Sequence, residues 1–187
     1  MPNPRLASRY AKSLLGLAVE KGQLEQVNKD MLYLQQVNNS SKDFINLLRS
    51  PVVSADKKQS IIDAVTQGKI GELTAAFTRL LVNKGREGEL PEIITAFIKQ
   101  YKDEKGIYTV KLITATQVSD EVKNRIVEQV KNTSEMKNIE LETVVDPNII
   151  GGFVLLAGDK LVDASIAYDL KEISKQFENN DFIYKVR

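Results

Sequence analysis

Residues 102–113 read KDEKGIYTVKLI, and the spacing of apolar side chains changes within this segment. Its first residues are charged and lead to Gly106, a composition typical of a connection between folded units. After Gly106, the residues Tyr108, Val110 and Leu112 recur with a period of two, which predicts a strand. Before it, apolar residues recur with the period of an α-helix. The change of period predicts two domains, residues 1–105 and residues 106–187.

The first domain is predicted to contain six amphipathic helices. Pro51 ends the third, because the residue before a proline is pushed out of the helical region. Ser54 is predicted to cap the fourth helix, Gly85 to end the fifth, and Pro91 to lie in the first turn of the sixth. Since the connections are short, a six-helix bundle is expected. The residues that mark these helices are Leu6, Tyr10, Leu14 and Leu17; Leu24, Val27, Met31 and Leu34; Phe44 and Leu48; Ile61, Ile62 and Val65; Leu73, Phe77, Leu80 and Leu81; and Leu90, Ile94, Phe97 and Tyr101.

The second domain is predicted to be a small unit of mixed helices and strands. Its first strand is followed by a helix that begins near Ser119, where a cap is combined with negative charge. Alternation over residues 139–145 predicts a half-buried strand, and the apolar run 153–157 predicts a fully buried one. The whole chain is therefore expected to be an α+β protein of two domains, with a six-helix bundle followed by a small α/β carboxy-terminal domain.

The last helix is predicted to follow a turn at Gly158 and Asp159. Residues 161–162 then lead into Asp163, which is a favourable N-cap residue. The helix is expected to face inward through its apolar residues, Ile166, Leu170, Ile173 and Phe177.

The composition excludes several kinds of function. The 187 residues include no Cys and no His, which excludes zinc fingers, Cys-liganded clusters, Ser-His-Asp triads and Cys-His pairs. A metal site would have to consist of oxygen ligands, and neither a metal nor a cofactor is expected. The 26 basic and 25 acidic residues give a net charge of +1, so no overall field attracts a nucleic acid, and we expect none as a partner.

No segment is predicted to insert into a membrane. The longest uncharged stretch, residues 147–158, is much shorter than the roughly 20 apolar residues that span a bilayer. The amino terminus lacks the apolar stretch of a secretory signal. A cytoplasmic bacterial protein is the simplest expectation.

The glycines of the second domain do not form a phosphate-binding loop. Gly151, Gly152 and Gly158 lack the spacing of that motif, because Ala157 stands where its second glycine would fall. A bulge or a close backbone contact at the entrance to the buried strand is the better interpretation.

Two Ser-x-x-Lys pairs could in principle supply a nucleophile and a base. They are Ser54 with Lys57 and Ser134 with Lys137. The companion motifs of a Ser-Lys enzyme are absent, which favours a helix cap for the first pair and a polar loop for the second. No catalytic residue is predicted.

Two groups of charged residues leave a binding role open. Glu140 and Glu142 share one strand face and could hold a cation, although a solvated sheet face is the commoner explanation. Arg5, Arg9 and Lys12 place positive charge at the start of the first helix, where it opposes the helix dipole. This indicates either an anionic partner or a solvated face.

Two motifs resemble those of one family. Residues 9–12, RYAK, are followed by Leu14 and Ala18, and they resemble the family's opening helix. Residues 146–165 resemble its signature, which combines a GGF strand, a GD turn and a D-x-S helix start. This family is the delta subunit of F-type ATP synthase, called oligomycin-sensitivity-conferring protein in mitochondria. Residues 80–91 are also similar, whereas residues 166–169 lack the basic residues that the family usually places after D-x-S.

The resemblance implies a stator component that is not itself an enzyme. The amino-terminal bundle would sit on the catalytic head and bind the amino-terminal helix of an alpha subunit in a groove between its first and fifth helices. The carboxy-terminal domain would hold the end of the peripheral-stalk b subunits. The protein would then act in proton-coupled ATP synthesis as a peripheral component at the cytoplasmic face of the bacterial inner membrane.

The resemblance also implies which residues carry these contacts. Tyr10 and Leu80 match the family's groove positions best. Residues divided between the groove and the bundle core would be Ala7, Tyr10, Ala11, Leu14, Phe77, Leu80 and Leu81. The signature residues of the stalk-contact domain would be Gly151, Gly152, Phe153, Gly158, Asp159, Asp163 and Ser165.

Three rival functions belong to other classes. A helical adaptor unrelated to ATP synthase would share the bundle but would not need the GGF and D-x-S motifs. A Ser-Lys hydrolase would turn over an ester. A nucleic-acid binder would need a basic stripe on the sheet, and Glu140 and Glu142 argue against one.

Overall fold

The structure, a computed structural model, describes residues 3–133, 138–158 and 160–178. Three residues discussed above, Ser134, Lys137 and Asp159, lie outside the described residues. The chain divides into two compact units, Met1–Lys105 and Gly106–Arg187. It is an α+β fold with a helical amino-terminal region, as the sequence predicts.

The first unit is built from helices joined by short connections. A single 3-10 turn, Glu87–Glu89, precedes the last of them. The helices are α1 (Pro4–Glu20), α2 (Leu24–Ser40), α3 (Lys42–Arg49), α4 (Ala55–Thr66), α5 (Glu72–Asn83) and α6 (Leu90–Glu104).

The core of this unit is apolar and closely packed. Its largest fully buried side chains include Leu14, Met31, Leu34 and Phe97. The buried row of α1 consists of Ala7, Ala11, Leu14 and Ala18, whereas Leu17, one of the residues whose spacing predicts this helix, is 39 % exposed. Small alanine side chains allow α1 to pack closely along α6, and the larger residues Leu6 and Tyr10 are moved to the border of the buried face.

The ends of α1 and α5 are formed by the same glycine motif. After α5, Gly85 adopts a φ of 62°, its N–H donates to Val82 O, and the Arg86 N–H donates to Leu81 O at 2.8 Å. Gly22 has the same role after α1. In this Schellman arrangement glycine permits the left-handed conformation that directs the chain away from the helix axis.

The start of α4 confirms the position predicted for Ser54 but not its side-chain role. Ser54 lies at the N-cap, yet its side chain makes no capping hydrogen bond. Asn3 and Ser41 do cap their helices, since their side chains accept hydrogen bonds from Leu6 N and Phe44 N.

A buried carboxylate fixes the beginning of α5 against α2. Asp30 is almost completely buried and accepts hydrogen bonds from Gly71 N at 2.8 Å and from Thr74 Oγ1 at 2.6 Å. Gln26 donates a third at 2.9 Å. Because a carboxylate near a helix N-terminus satisfies amides that have no intrahelical partner, Asp30 determines where α5 begins.

An exposed ion pair joins α2 to the end of α6. Lys105 Nζ lies 2.6 Å from Glu25 Oε1, and the Tyr101 hydroxyl donates to Glu25 Oε2 at 2.8 Å. The hydrogen bond from Lys105 lowers the pKa of Glu25 and raises the pKa of Lys105. Burial, followed by the neighbouring Glu25 carboxylate, raises the pKa of Tyr101.

In its described residues, the second unit contains one sheet and two helices. In chain order its elements are β1 (Ile107–Thr114), α7 (Asp120–Thr133), β2 (Asn138–Val145), a 3-10 turn (Pro147–Ile149), β3 (Gly152–Ala157), β4 (Lys160–Ser165) and α8 (Ile166–Glu178). The strand order is β2-β1-β3-β4, in which β1 and β2 are parallel and the other pairs are antiparallel. The core includes Val110, Leu112, Leu155 and Ala157, and Ile126 and Val130 of α7 pack against it.

Three predictions for this unit were wrong. Asp163 does not begin the last helix, because residues 160–165 pair with β3 as a strand. Ser165 instead accepts a hydrogen bond from Tyr168 N at 3.2 Å, and the Asp163 carboxylate accepts one from Ser165 N. β3 is not fully buried, since Phe153 is exposed on the face that α7 only partly covers and Leu156 is half-buried on the opposite face. The apolar residues Ile166, Leu170 and Ile173 of α8 do not face inward and are 47–52 % exposed. The side chain of Phe177 lies outside the described part.

Candidate functional site

The surface shared by α1 and α5 carries two partly exposed apolar rows. Leu6, Tyr10 and Leu17 follow one another at helical spacing on α1, while Leu73, Phe77 and Leu80 do so on α5. We call the surface formed by these six residues the α1/α5 groove. Exposed apolar residues that are aligned on neighbouring helices are typical of a surface that another protein covers.

An aromatic pair joins the two helices in the middle of the groove. The rings of Tyr10 and Phe77 lie 6.4 Å apart between centroids, with an interplanar angle of 66°. This edge-to-face geometry is a favourable arrangement for two aromatic rings. Both side chains are half-buried, so their outer surfaces remain available to a ligand.

Two clefts show that α1 and α5 run antiparallel. At one end of the groove, a cleft of 450 Å³ is lined by Arg5 and Tyr10 of α1 and by Arg86, which follows α5. At the other end, a cleft of 660 Å³ is lined by Lys21, which follows α1, and by Gly71, which precedes α5. The groove therefore continues into an open cleft at each end.

The structure divides the seven groove candidates between core and surface. Tyr10 and Phe77 are half-buried, and Leu80 is 44 % exposed. Ala7, Ala11, Leu14 and Leu81 are at most 2 % exposed and belong to the core. Only Tyr10, Phe77 and Leu80 of these seven can contact a partner without a rearrangement of the helices.

Sequence reasoning missed several residues that surround the groove. Ala76 and Ser13 are exposed and line the two end clefts, but neither is large or apolar enough to mark a helix face. Arg86 was missed because it follows the helix and has no periodic signal. The Lys84-Gly85 helix end was recognised, and the Schellman geometry that it adopts directs the next residue to this surface.

A second apolar cleft lies on the sheet of the carboxy-terminal unit. α7 packs over part of the sheet, and the cleft of 570 Å³ lies between this helix and strands β3 and β4. Its walls include Ile126 and Val130 of α7, Phe153 and Leu155 of β3, and Val162 of the edge strand β4. We call this surface the sheet cleft.

The signature residues near the sheet cleft are mostly structural. Gly152 has a φ of 74°, and a Cβ at this position would lie 2.1 Å from Ala164 O, which confirms the close backbone contact expected from the sequence. Gly158 also has a positive φ, of 59°, at the end of β3. Asp163 and Ser165 make the hydrogen bonds at the start of α8, so among the signature residues that the structure describes only Phe153 contributes a side chain to the cleft.

The described residues show no geometry that supports a Ser-Lys enzyme or a metal site. No hydrogen bond joins Ser54 to Lys57 there, and no group of three or more Asp and Glu residues in those segments could hold a metal ion. In the same segments, no helix combines the length and apolar character needed to cross a bilayer.

Comparison with known proteins identifies the family. The model of the ATP synthase delta (OSCP) subunit matches residues 6–177. An ATP synthase subunit delta from Amoebophilus asiaticus is 36 % identical over 175 residues, covering 94 % of this chain and 95 % of that protein. Another from Cytophaga hutchinsonii is 33 % identical over 177 residues, with 95 % and 96 % covered. A chain of the Toxoplasma gondii mitochondrial ATP synthase hexamer has a TM-score of 0.72 at 25 % identity, and the match covers 92 % of this chain and 97 % of that chain. The chain therefore belongs to the ATP synthase delta (OSCP) subunit family.

Proposed function

We propose that this chain links the amino terminus of an alpha subunit, at the top of the catalytic head, to the peripheral-stalk b subunits. As a delta-family member it is a non-catalytic stator subunit of an F-type ATP synthase. Such a subunit supports ATP synthesis mechanically, by holding the head against rotation. Family membership leaves the unrelated helical adaptor without support.

The helical unit corresponds in this proposal to the family's six-helix bundle, and the α1/α5 groove is its binding site for the alpha subunit. The observation that carries the proposal is the Tyr10–Phe77 pair, flanked by the exposed Leu80. An amphipathic helix binds such a groove by placing apolar residues, spaced three or four apart, over the exposed rows. Recognition of this kind needs apolar area and no reactive group.

Leu80→Ala tests the groove directly. Because Leu80 is already 44 % exposed, its truncation removes contact area for a partner and little packing within the unit. We expect about 2 kcal/mol weaker binding of the cognate alpha amino-terminal peptide, roughly thirty-fold, as for a central anchor. Titration calorimetry on the full chain measures the change.

Leu32→Ala is the matched control, since Leu32 is 41 % exposed on α2, outside the groove. This variant should bind the peptide as the unaltered chain does. Equal losses in both variants, or no loss in Leu80→Ala with circular dichroism unchanged, would contradict the assignment of the groove. Tyr10→Ala should also weaken binding, but it removes the contact with Phe77 and is therefore less specific.

The sheet cleft is proposed as the contact for the b subunits. It combines apolar walls with the basic residues Arg125 and Lys160, and it lies in the domain that the family uses for the stalk. Val162 lines the cleft and is 54 % exposed, whereas the neighbouring Leu161 is 60 % exposed and points to the other side of the strand.

This alternation supplies a matched pair of variants for the stalk contact. Val162→Asp should abolish capture of the cognate b subunits, and Leu161→Asp should leave it intact. If only Leu161→Asp abolished capture of the b subunits, the contact would lie on the opposite side of β4. Neither variant should affect the alpha peptide.

Localisation follows from these contacts. A subunit that holds both the catalytic head and the peripheral stalk is bound to the membrane only through its partners. We propose that it lies peripherally at the cytoplasmic face of a bacterial inner membrane. Removal of both the catalytic head and the b subunits should release it from membrane vesicles, and its retention there without either partner would contradict this placement.

A further inference from the structure

We propose that Arg5, Arg9 and Arg86 form the charged end of the α1/α5 groove and bind acidic side chains of the docked helix. The inference rests on the proposed function and adds the chemistry and direction of the ligand. It concerns the 450 Å³ cleft at the start of α1, which we call the arginine cleft.

Three arginines from two parts of the chain line one cleft. Arg5 and Arg9 lie one helical turn apart on α1, and all three arginine side chains are exposed. Arg86 reaches the cleft because the Schellman motif at Gly85 turns the chain there, with the Arg86 N–H bonded to Leu81 O at 2.8 Å. The cluster therefore depends on tertiary structure and not on the helix surface alone.

None of these three arginines has a counter-ion within the described segments. By contrast, Lys105 pairs with Glu25 at 2.6 Å, and Arg79 approaches Asp63 at 3.8 Å. Glu89 is the acidic residue bonded to the lining of the cleft, and its carboxylate accepts a hydrogen bond from the backbone N–H of Asn3 at 3.1 Å. The guanidinium donors of Arg5, Arg9 and Arg86 are therefore available to a ligand.

The arrangement is unfavourable for the isolated helix. The first turn of α1 contains Arg5 and no acidic residue, so positive charge opposes the helix dipole. Arg5 and Arg9 also repel each other as like charges four residues apart on one helix. An acidic ligand relieves both effects.

The neighbouring surface determines which acidic ligand fits. The arginine cleft is also lined by Leu6 and Tyr10, and Tyr10 contacts Phe77 in the middle of the groove. A small anion would use the arginines but not this apolar row. An amphipathic helix with carboxylates at one end of its apolar face uses both, and arginine can bind a carboxylate through two parallel hydrogen bonds.

The orientation of the ligand follows from the same geometry. The other end of the groove carries Lys21 and Lys29 together with Glu25 and Glu72, so its charges are mixed. By contrast, the charged residues that line the arginine cleft are all basic. The acidic end of the docked helix therefore lies beside the start of α1.

Glutamine substitutions test the proposal by calorimetry with the cognate alpha amino-terminal peptide, on the full chain. Arg9→Gln and Arg86→Gln should each weaken binding about three- to five-fold at low salt, as expected for exposed charge pairs. In the double variant the affinity should fall about ten-fold or more, and this fall should be smaller at high salt because exposed charges are screened. Arg86→Lys should lose less affinity than Arg86→Gln, because lysine keeps the charge but cannot form the two parallel hydrogen bonds.

Lys12→Gln is the matched control, because Lys12 is an exposed base on α1 that does not line the cleft. It should change neither the affinity nor its salt dependence. A peptide whose acidic residues are replaced by their amides should bind the double variant and the unaltered chain equally well.

The outcomes separate this inference from the proposed function. If the peptide binds and Leu80→Ala weakens that binding, but Arg9→Gln and Arg86→Gln do not, the groove assignment is supported and the arginine site is wrong. If the peptide does not bind at all, both are wrong. If the arginine variants no longer bind vesicles of anionic phospholipid but bind the peptide with unchanged affinity, the cleft binds a membrane surface and the proposal is overturned.

Discussion

Gly152→Ala should destabilise the carboxy-terminal unit far more than an ordinary glycine substitution. The added Cβ would lie 2.1 Å from Ala164 O, and a Cβ atom essentially never lies within 3.0 Å of such a neighbour in a protein. This oxygen is a backbone atom of the paired strand β4, so it cannot move away by a side-chain rotation. The strands must therefore separate at the end where Gly152 faces Ser165, close to the hydrogen bond from Ile166 N to Gly151 O.

The magnitude has two parts that a second glycine can separate. A φ of 74° costs a non-glycine residue about 1 kcal/mol, and forcing an atom into an occupied space adds about 2 kcal/mol. Gly158 has nearly the same conformation, with a φ of 59°, but its Cβ would have no neighbour within 4 Å. Gly158→Ala should therefore cost about 1 kcal/mol and Gly152→Ala about 3 kcal/mol, a large part of the stability of a small domain.

Hydrogen exchange measures the two units separately in one sample. The amides of β1 report on the carboxy-terminal unit, and the amides of α6 serve as an internal control. Protection of β1 should fall with Gly152→Ala while that of α6 is unchanged. If Gly152→Ala cost no more than Gly158→Ala, the close backbone contact would not be the reason for this glycine, and the reasoning would be refuted.

Three further changes test the first unit. Gly16→Ala should raise the free energy of unfolding by about 1 kcal/mol in urea denaturation, because Gly16 lies inside α1 and its Cβ would meet nothing within 4 Å; a loss of stability would show a hidden contact. Lys58→Met should cost about 3 kcal/mol, since it leaves the Glu87 carboxylate buried without the 2.7 Å ion pair, and the double variant with Glu87→Gln should recover part of the loss. Glu25→Gln should flatten the acid dependence of stability, because Lys105 lowers the pKa of Glu25. The stabilisation by that carboxylate is complete above its ordinary value of 4.5 and is lost as the pH falls through the lowered pKa, so the two denaturation curves should converge in acid.

Elements with a strong local pattern could be predicted from the sequence. Pro51 marks a helix end through the restriction of its backbone, and Gly85 marks one through its freedom to adopt a positive φ; both effects act whatever surrounds them. The alternation after Gly106 predicted β1 for the same reason, since a period of two fits only an extended chain. These signals are local and need no knowledge of the tertiary structure.

The errors arose where tertiary contacts decide the outcome. Asp163 has the preference of an N-cap residue, but pairing of residues 160–165 with β3 extends the strand as far as Ser165. On α1, the period identified the helix but left open which residues face the core, and close packing on α6 selects the row Ala7, Ala11, Leu14 and Ala18. The groove candidate Tyr10 could therefore not be separated from the core residues Ala7 and Leu14 without the structure.

The apolar residues left exposed connect the prediction errors to function. Periodicity identifies residues that avoid water, but it does not say whether the chain itself or a partner covers them. In α8, the residues Ile166, Leu170 and Ile173 were assigned to the core and remain exposed, as does Leu80 in the α1/α5 groove. An amphipathic face that its own unit does not cover can lower its free energy only by binding another molecule. A subunit that joins two other parts of an assembly needs such faces in both of its units, and both units of this chain have them.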